Sequence, residues 1–295
     1  MAVNTISQEL ARPRAAAETS VTPPGRAIGD GWLYLILVVL SILFMIPFAW
    51  LVLTSLKPEN ELFAGTLLPT RFTLDNYRDV LNNSPVLRWF GNTLLVSVLA
   101  VVSVVFSSAL VAFGFSRVRF RGRSALFALV IATYMLPVGV TLIPTFLIWN
   151  QLGFVGTFVP LWAGNLFGSA FYIFMLRQFL LTIPQDLADA ARVDGAGYLR
   201  IFRDIMLPLI QPALIAVAIF EFQAKCNDLL TPLIYLNRPA MYTMALGLTS
   251  FKSEFEMQWA VWMAASVIFT LPMILLFFLA QRFFVEGVTL TGIKG

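Results

Sequence analysis

At 295 residues, 59% hydrophobic and only 12% charged, with a mean hydropathy of +0.82, the chain is too apolar for a soluble domain and reads as a polytopic membrane protein. Its net charge of +4 and pI near 9.4 do not point to nucleic acid, because the basic residues are dispersed through loops between apolar runs. With no histidine and one cysteine, Cys226, the composition excludes metal sites, disulfides and histidine acid–base chemistry.

Residues 1–30 hold Ala, Pro, Ser, Thr and three arginines with few large apolar groups, and read as a disordered tail. The first apolar run starts too late and is too long for a cleaved signal peptide. Crossing a bilayer core of about 30 Å takes roughly twenty apolar residues. Six segments qualify, at about 32–54, 92–115, 125–148, 158–177, 209–236 and 259–281. With the N-terminus inside, thirteen Lys and Arg fall in the inner segments: Arg12, Arg14 and Arg26; Arg117, Arg119, Arg121 and Arg123; Arg177, Arg192, Arg200 and Arg203; Arg282 and Lys294. Six (Lys57, Arg71, Arg78, Arg88, Arg238 and Lys252) fall in the outer ones. The positive-inside rule therefore places both termini and the loop between spans four and five in the cytoplasm.

The outer segment 55–91 contains TRFTLDNYRDVL, which has helical spacing. It reads either as an outer scaffold helix near a docking face or as simple packing. In the third span Pro137 and Pro144 flank Gly139, which predicts a kinked helix that either lines a moving pathway or packs statically.

Between spans four and five, Pro184–Pro208 is the one long polar stretch. Asp186, Asp189, Asp194 and Asp204 alternate with Arg192, Arg200 and Arg203, as suits two short water-exposed helices. Gly195 between them is able to take the positive φ of a tight helix–helix turn. Ala190 and Ala191 leave the first helix a face with little bulk, able to lie close against a partner. Ile201, Phe202 and Ile205 give the second an apolar stripe, and Pro208 is expected to open the fifth span. Within that span Glu221, Lys225 and Asp228 are spaced to share one helix face with Asn227 beside them. Charged groups in a span cost several kcal/mol unless paired or wetted. The group therefore reads as pathway-facing, against the alternative of an interfacial set that pairs only internally.

Several of these stretches resemble ABC importer permeases. The pattern E-A-A, three residues, Gly, nine residues, I-x-L-P of the family's cytoplasmic coupling loop, the EAA loop, falls on Asp189, Ala190, Ala191, Gly195, Ile205, Leu207 and Pro208. Asp189 replaces the usual Glu, keeping the charge on a shorter stem. Asp194, Gly195 and Ala196 match the D-G-A of the sugar branch. Asn76, Tyr77, Phe90, Asn92 and Thr93 resemble the entry to the second span of sugar permeases. Phe222, Asn227, Pro232 and Leu233 match a fifth-span pattern in which Cys226 stands where tryptophan is expected. The C-terminal QRFFVEGVTLTGIKG resembles the family's closing signature through Gln281, Arg282, Phe284, Val285, Gly287, Gly292, Lys294 and Gly295.

The resemblance implies an all-α fold: six transmembrane helices with cytoplasmic EAA coupling helices, in the bacterial inner membrane. It implies a subunit of the maltose-type class that moves a sugar or oligosaccharide, with a homologous second permease, an ATPase dimer and an extracytoplasmic binding protein as partners. The chain has no G-x-x-x-x-G-K-[ST] loop, so ATP and Mg fall to the partner ATPase and no cofactor is expected on this chain. Two alternatives stand beside this: an ion-coupled secondary transporter, which Glu221, Lys225 and Asp228 would suit, and an importer of glycerol phosphate or a polyol.

Overall fold

Pro137 breaks one of the six expected spans. The computed structural model describes residues 30–66, 68–251 and 258–291, the last thirteen by backbone only. Where one kinked helix was expected over 125–148 there are two, α4 (Arg123–Tyr134) and α5 (Val138–Gln151), meeting at 97°. Pro137 has no N–H to continue α4, and the residue before a proline is pushed out of the helical region. Pro144 sits inside α5 without interrupting it.

All regular structure among the described residues is helical. Among the described residues four helical segments are long and apolar enough to cross a membrane: Gly31–Ser55, Val86–Arg117, Val159–Thr182 and Trp259–Phe278. The count reaches six if each of two bent pairs is one span. The first belongs to α1 (Asp30–Ser55), whose residues up to Ala49 form a separate unit of their own, exposed from Gly31 onward. After α2 (Asp75–Asn83) comes α3 (Val86–Arg117), about 48 Å long at 1.5 Å per residue. Its inward face carries Ser97, Ala100, Ser103, Ser108, Ala109 and Ala112, small residues that let neighbouring helices approach closely. Against it lie α7 (Ala170–Thr182), α11 (Gln211–Cys226) and the segment before α7, a short α6 (Val159–Trp162) continued by a 3-10 turn.

The fifth expected span, 209–236, is also divided. Helix Tyr198–Leu209 meets α11 at 77°, and α11 stops at Cys226, followed by α12 (Leu230–Tyr235) and α13 (Met244–Thr249). The opening falls at Gln211, with Pro212 in the first turn, and not at Pro208. The last helix, α14 (Trp259–Thr291), runs ten residues past the expected end at 281. The tail read over residues 1–30 lies outside the described residues but for Asp30.

Three buried clusters sit along α3. One joins its second half to α7 and to residues 188–217, and one joins its start to α2, Met244 and α14. The third packs Val96 with Leu161, Tyr235, Leu236 and Leu246. At the α2 end, Asn76 and Tyr77 are spent inside the chain. Asn76 Nδ2 donates to the Ser55 and Lys57 carbonyls at 2.8 Å each, and the Tyr77 and Ser55 hydroxyls lie 2.7 Å apart. Asn92 Nδ2 donates to the Ala240 and Tyr242 carbonyls, and Thr93 Oγ1 accepts the Met244 N–H at 2.7 Å. The packing alternative thus accounts for these residues. At Gly247 a Cβ would stand 2.2 Å from the buried Trp89 ring, so only glycine fits there. Glu59 caps the first turn of α14, accepting the Trp259 and Ala260 N–H groups at 3.0 and 2.9 Å. Nearby, the Thr70 hydroxyl and N–H both bond Glu61 and hold its carboxyl below the usual carboxylate range.

Candidate functional site

The polar stretch 184–208 folds as two helices joined by a left-handed turn. Asp186–Val193 forms α8, an eight-residue helix with acids in its first turn, as the dipole favours, and Arg192 in its last. Gly195 takes φ +79°. Its N–H bonds the Arg192 carbonyl at 3.0 Å, and the Ala196 N–H reaches back to the Ala191 carbonyl at 2.9 Å. These two bonds define a Schellman motif, with Ala191 and Ala196 packed on the same core as its apolar contact. The chain then re-enters helix as α9 (Tyr198–Ile201), widens to a π turn over Phe202–Met206, and continues as α10 (Leu207–Leu209). The wide turn directly precedes Pro208, whose ring would clash with the carbonyl four residues back in a regular helix.

Burial divides the predicted coupling residues. Ala191 is half-buried against the chain's own core, beside the fully buried Ala188, which lay outside the predicted set, while Ala190, Asp189, Asp194 and Gly195 are exposed. Ile201 and Phe202 are buried, with Ile205 and Leu207 packed beside them, as the expected stripe requires. Pointing outward are Leu187, Val193, Tyr198 and Leu199, which are 45%, 89%, 49% and 74% exposed. These four exposed apolar side chains stand on an otherwise charged loop. Arg192 holds the two helices together, with Nη1 2.5 Å from Asp189 and its guanidinium 5.2 Å from the Tyr198 ring centre. Asp204 pairs with Arg203 at 2.6 Å and Arg200 at 3.7 Å.

The structure brings Glu221 and Lys225 together and leaves Asn227 and Asp228 apart from them. Because α11 ends at Cys226, Asp228 lies beyond the helix and shares no face with Glu221. Its carboxylate instead accepts the Thr231 N–H at 3.0 Å, at the start of α12, and Asn227 Nδ2 donates to the Gln223 carbonyl. Glu221 and Lys225 are 3.8 Å apart and nearly buried. Each has a shorter bond elsewhere: Asn165 Nδ2 donates to Glu221 at 2.5 Å, and Lys225 Nζ donates to the Leu161 carbonyl at 2.8 Å. Tyr172 also interacts with Glu221. Asn165 further donates to the Ala100 carbonyl, and its own carbonyl accepts from Ser107 at 2.9 Å. The pair thus brackets the broken segment 161–165 and ties it to α11 and α3. Beside it, Cys226 is fully buried with Sγ 3.7 Å from the Ser97 hydroxyl, so this position packs against α3.

Sequence reasoning missed Asn165, Tyr172 and Ala188. Asn165, a lone amide in an apolar run, carried the available signal, since polar groups at membrane depth are functional candidates. Of the C-terminal signature, Gln281, Arg282 and Gly287 lie on the backbone of α14, and Gly292, Lys294 and Gly295 lie outside the described residues.

Among the described residues the chain is all-helical, with several apolar helices of membrane-crossing length and a two-helix polar loop between them, the build of a polytopic membrane protein. Residues 105–289 match the family described as "Binding-protein-dependent transport system inner membrane component", and the chain belongs to that family. It is 34% identical over 272 residues to the arabinooligosaccharides transport system permease protein AraQ of Bacillus subtilis, covering 89% of this chain and 95% of that one. It is 31% identical over 266 residues to the maltodextrin transport system permease protein MdxG of the same organism, with the same coverage. The osmoprotective compounds uptake permease protein GgtD of Synechocystis is 32% identical, covering 89% of this chain and 91% of GgtD. A crystal structure of a bacterial ABC transporter involved in the import of the acidic polysaccharide alginate shares the fold, with a TM-score of 0.75 at 23% identity, over 88% of this chain and 99% of that one.

Proposed function

We propose that the chain forms one half of the transmembrane pathway of a bacterial importer for a sugar or oligosaccharide. An extracytoplasmic binding protein delivers the solute, a homologous permease forms the other half, and a pair of cytoplasmic ATPases binds ATP and Mg and drives the cycle. The observation that carries this reading is the loop 184–208: two short helices, fixed by the Gly195 turn, seated on the core by Ala188 and Ile201 and exposing Leu187, Val193 and Leu199. Such a surface suits docking onto an ATPase, whose closure would then be passed to the spans as a rigid-body switch. The carbohydrate class is supported by relatives such as AraQ and MdxG. The relative GgtD supports a second reading, in which the solute is an osmoprotectant.

Reconstitution of the whole complex tests both. Sugar-loaded binding protein should stimulate ATP hydrolysis and ATP-dependent vesicle uptake, and a panel of oligosaccharides and polyol-type osmoprotectants separates the two substrate readings. Uptake that persists without ATP under a proton or sodium gradient would replace this reading with an ion-coupled carrier. The orientation follows from the arginine asymmetry. A cysteine placed at Ser124 in a Cys226-free background should label only from the side bearing the ATPase, and labelling from the other side alone overturns it.

A further inference from the structure

In the sequence, the arginines of SRVRFRGRS serve only to orient the chain, but the first of them does not face solvent. Arg117 is the last residue of α3 and is 4% exposed, whereas Arg119 and Arg121 are exposed. Its guanidinium donates to the Leu180 carbonyl, to the Ile183 carbonyl at 2.6 Å and to Gln185 Oε1 at 2.6 Å. Leu180 lies in the last turn of α7, its carbonyl also accepting the Ile183 N–H at 3.3 Å, and Ile183 is the C-cap, so both carbonyls stand at the helix end where a cation is favoured. Gln185 is the N-cap of α8, and its own carbonyl accepts the Ala188 and Asp189 N–H groups. The far end of α8 returns to the same residue: Arg192, bonded to Asp189, also donates to the Arg117 main-chain carbonyl at 3.3 Å.

We propose that Arg117 is the positioning residue of the coupling loop, fastening both ends of α8 to the ends of α3 and α7 so that a displacement of α8 is delivered to α3. This rests on the coupling reading given above and adds to it the residue through which movement passes. A helix of eight residues is marginal on its own, so its pose depends on its anchors. The long α3, packed on both α7 and α11, is the natural recipient of the motion. Only a planar fork of several donors reaches three acceptors on two elements at once, so lysine, a single point charge, is a partial substitute.

The test uses the complete complex, with its companion permease, ATPase pair and binding protein, in vesicles, and reads solute transported per ATP hydrolysed. Arg117→Met should keep the ATPase bound yet lower that ratio about tenfold, within the usual range of coupling between sites. Arg117→Lys should recover part of the loss, and Arg119→Met, the exposed neighbour, should keep the wild-type ratio. A wild-type ratio in Arg117→Met, or an equal fall in Arg119→Met, overturns the proposal. Should Arg117→Met fail to assemble, Gln185→Ala decides: it removes the Arg117 side chain's link to the start of α8, together with the longer Gln185–Asp189 contact at 3.4 Å, and leaves the Arg117 bonds to α7 in place, so a lowered ratio supports the proposal and an unchanged one sinks it. Gly195→Val, measured alongside, separates the two levels. If it uncouples while Arg117→Met and Gln185→Ala do not, this inference alone falls; if it too is silent, the coupling reading falls.

Discussion

Gly195→Val is expected to abolish uptake while leaving the binding protein's affinity for its solute unchanged. The cause is conformational, because a Cβ at Gly195 would meet nothing within 4 Å. The backbone there sits at φ +79°, where an L-residue costs about 1–2 kcal/mol and a β-branched one is a still rarer occupant. Relieving that cost means leaving the left-handed region, which removes the Gly195 and Ala196 bonds to Arg192 and Ala191 and redirects α9 relative to α8. The exposed apolar side chains of the two helices, Leu187 and Val193 on α8 and Leu199 on α9, would then change their relative positions. Asparagine tolerates the same region, so Gly195→Asn should retain most uptake, and alanine should fall between. Vesicle uptake, ATPase retention on purification and sugar-stimulated hydrolysis, measured together across the three variants, check the order. Normal uptake and stimulation in Gly195→Val would remove the coupling role from this loop.

The second large effect is expected at Lys225. Truncating one member of a buried ion pair costs about 3–5 kcal/mol because the remaining charge is left without its partner. Here the direct pair, at 3.8 Å, is the weaker link, and the bonds from Asn165 to Glu221 and from Lys225 to Leu161 are the shorter ones. Lys225→Ala should therefore do two things. It leaves the Glu221 carboxylate nearly buried beside a helix that no longer compensates it, and it frees the Leu161 carbonyl at a break in the chain. The purified complex should melt at a lower temperature and transport should fall. Combining Lys225→Met with Glu221→Gln removes both charges, keeps an acceptor for Asn165, and should recover much of the lost stability. If transport stays low in the thermally restored double variant, the charges serve the pathway itself. Wild-type melting and transport in Lys225→Ala would reduce the pair to an incidental contact.

How far the sequence foretold each element depended on how local its cause was. The apolar runs and the Gly195 turn were readable because their causes lie within a few residues: desolvation of a twenty-residue stretch, and one backbone conformation that glycine adopts freely. The Glu221–Lys225 spacing was readable for the same reason. Asp228 was misplaced because the end of α11 is not written into its own spacing, and three residues of separation place two groups on one face only while the helix lasts. Pro137 and Pro144 look alike in the sequence, but only the first falls where the chain turns. Arg117 was hidden by the rule that oriented the chain, since counting cations treats a buried fork and a solvated side chain as equal.

The corner at Pro137 also bears on how such a chain survives in a bilayer. If α4 and α5 are one span, that corner lies near mid-depth, and Tyr134, Met135 and Leu136 around it are 63%, 78% and 55% exposed. Non-helical backbone at that depth persists only where other protein covers it or water reaches it. Facing lipid, the corner would be a defect. The corner thus needs either cover from a neighbour, which the proposed companion permease would supply, or a water-filled path that reaches it, before any solute arrives.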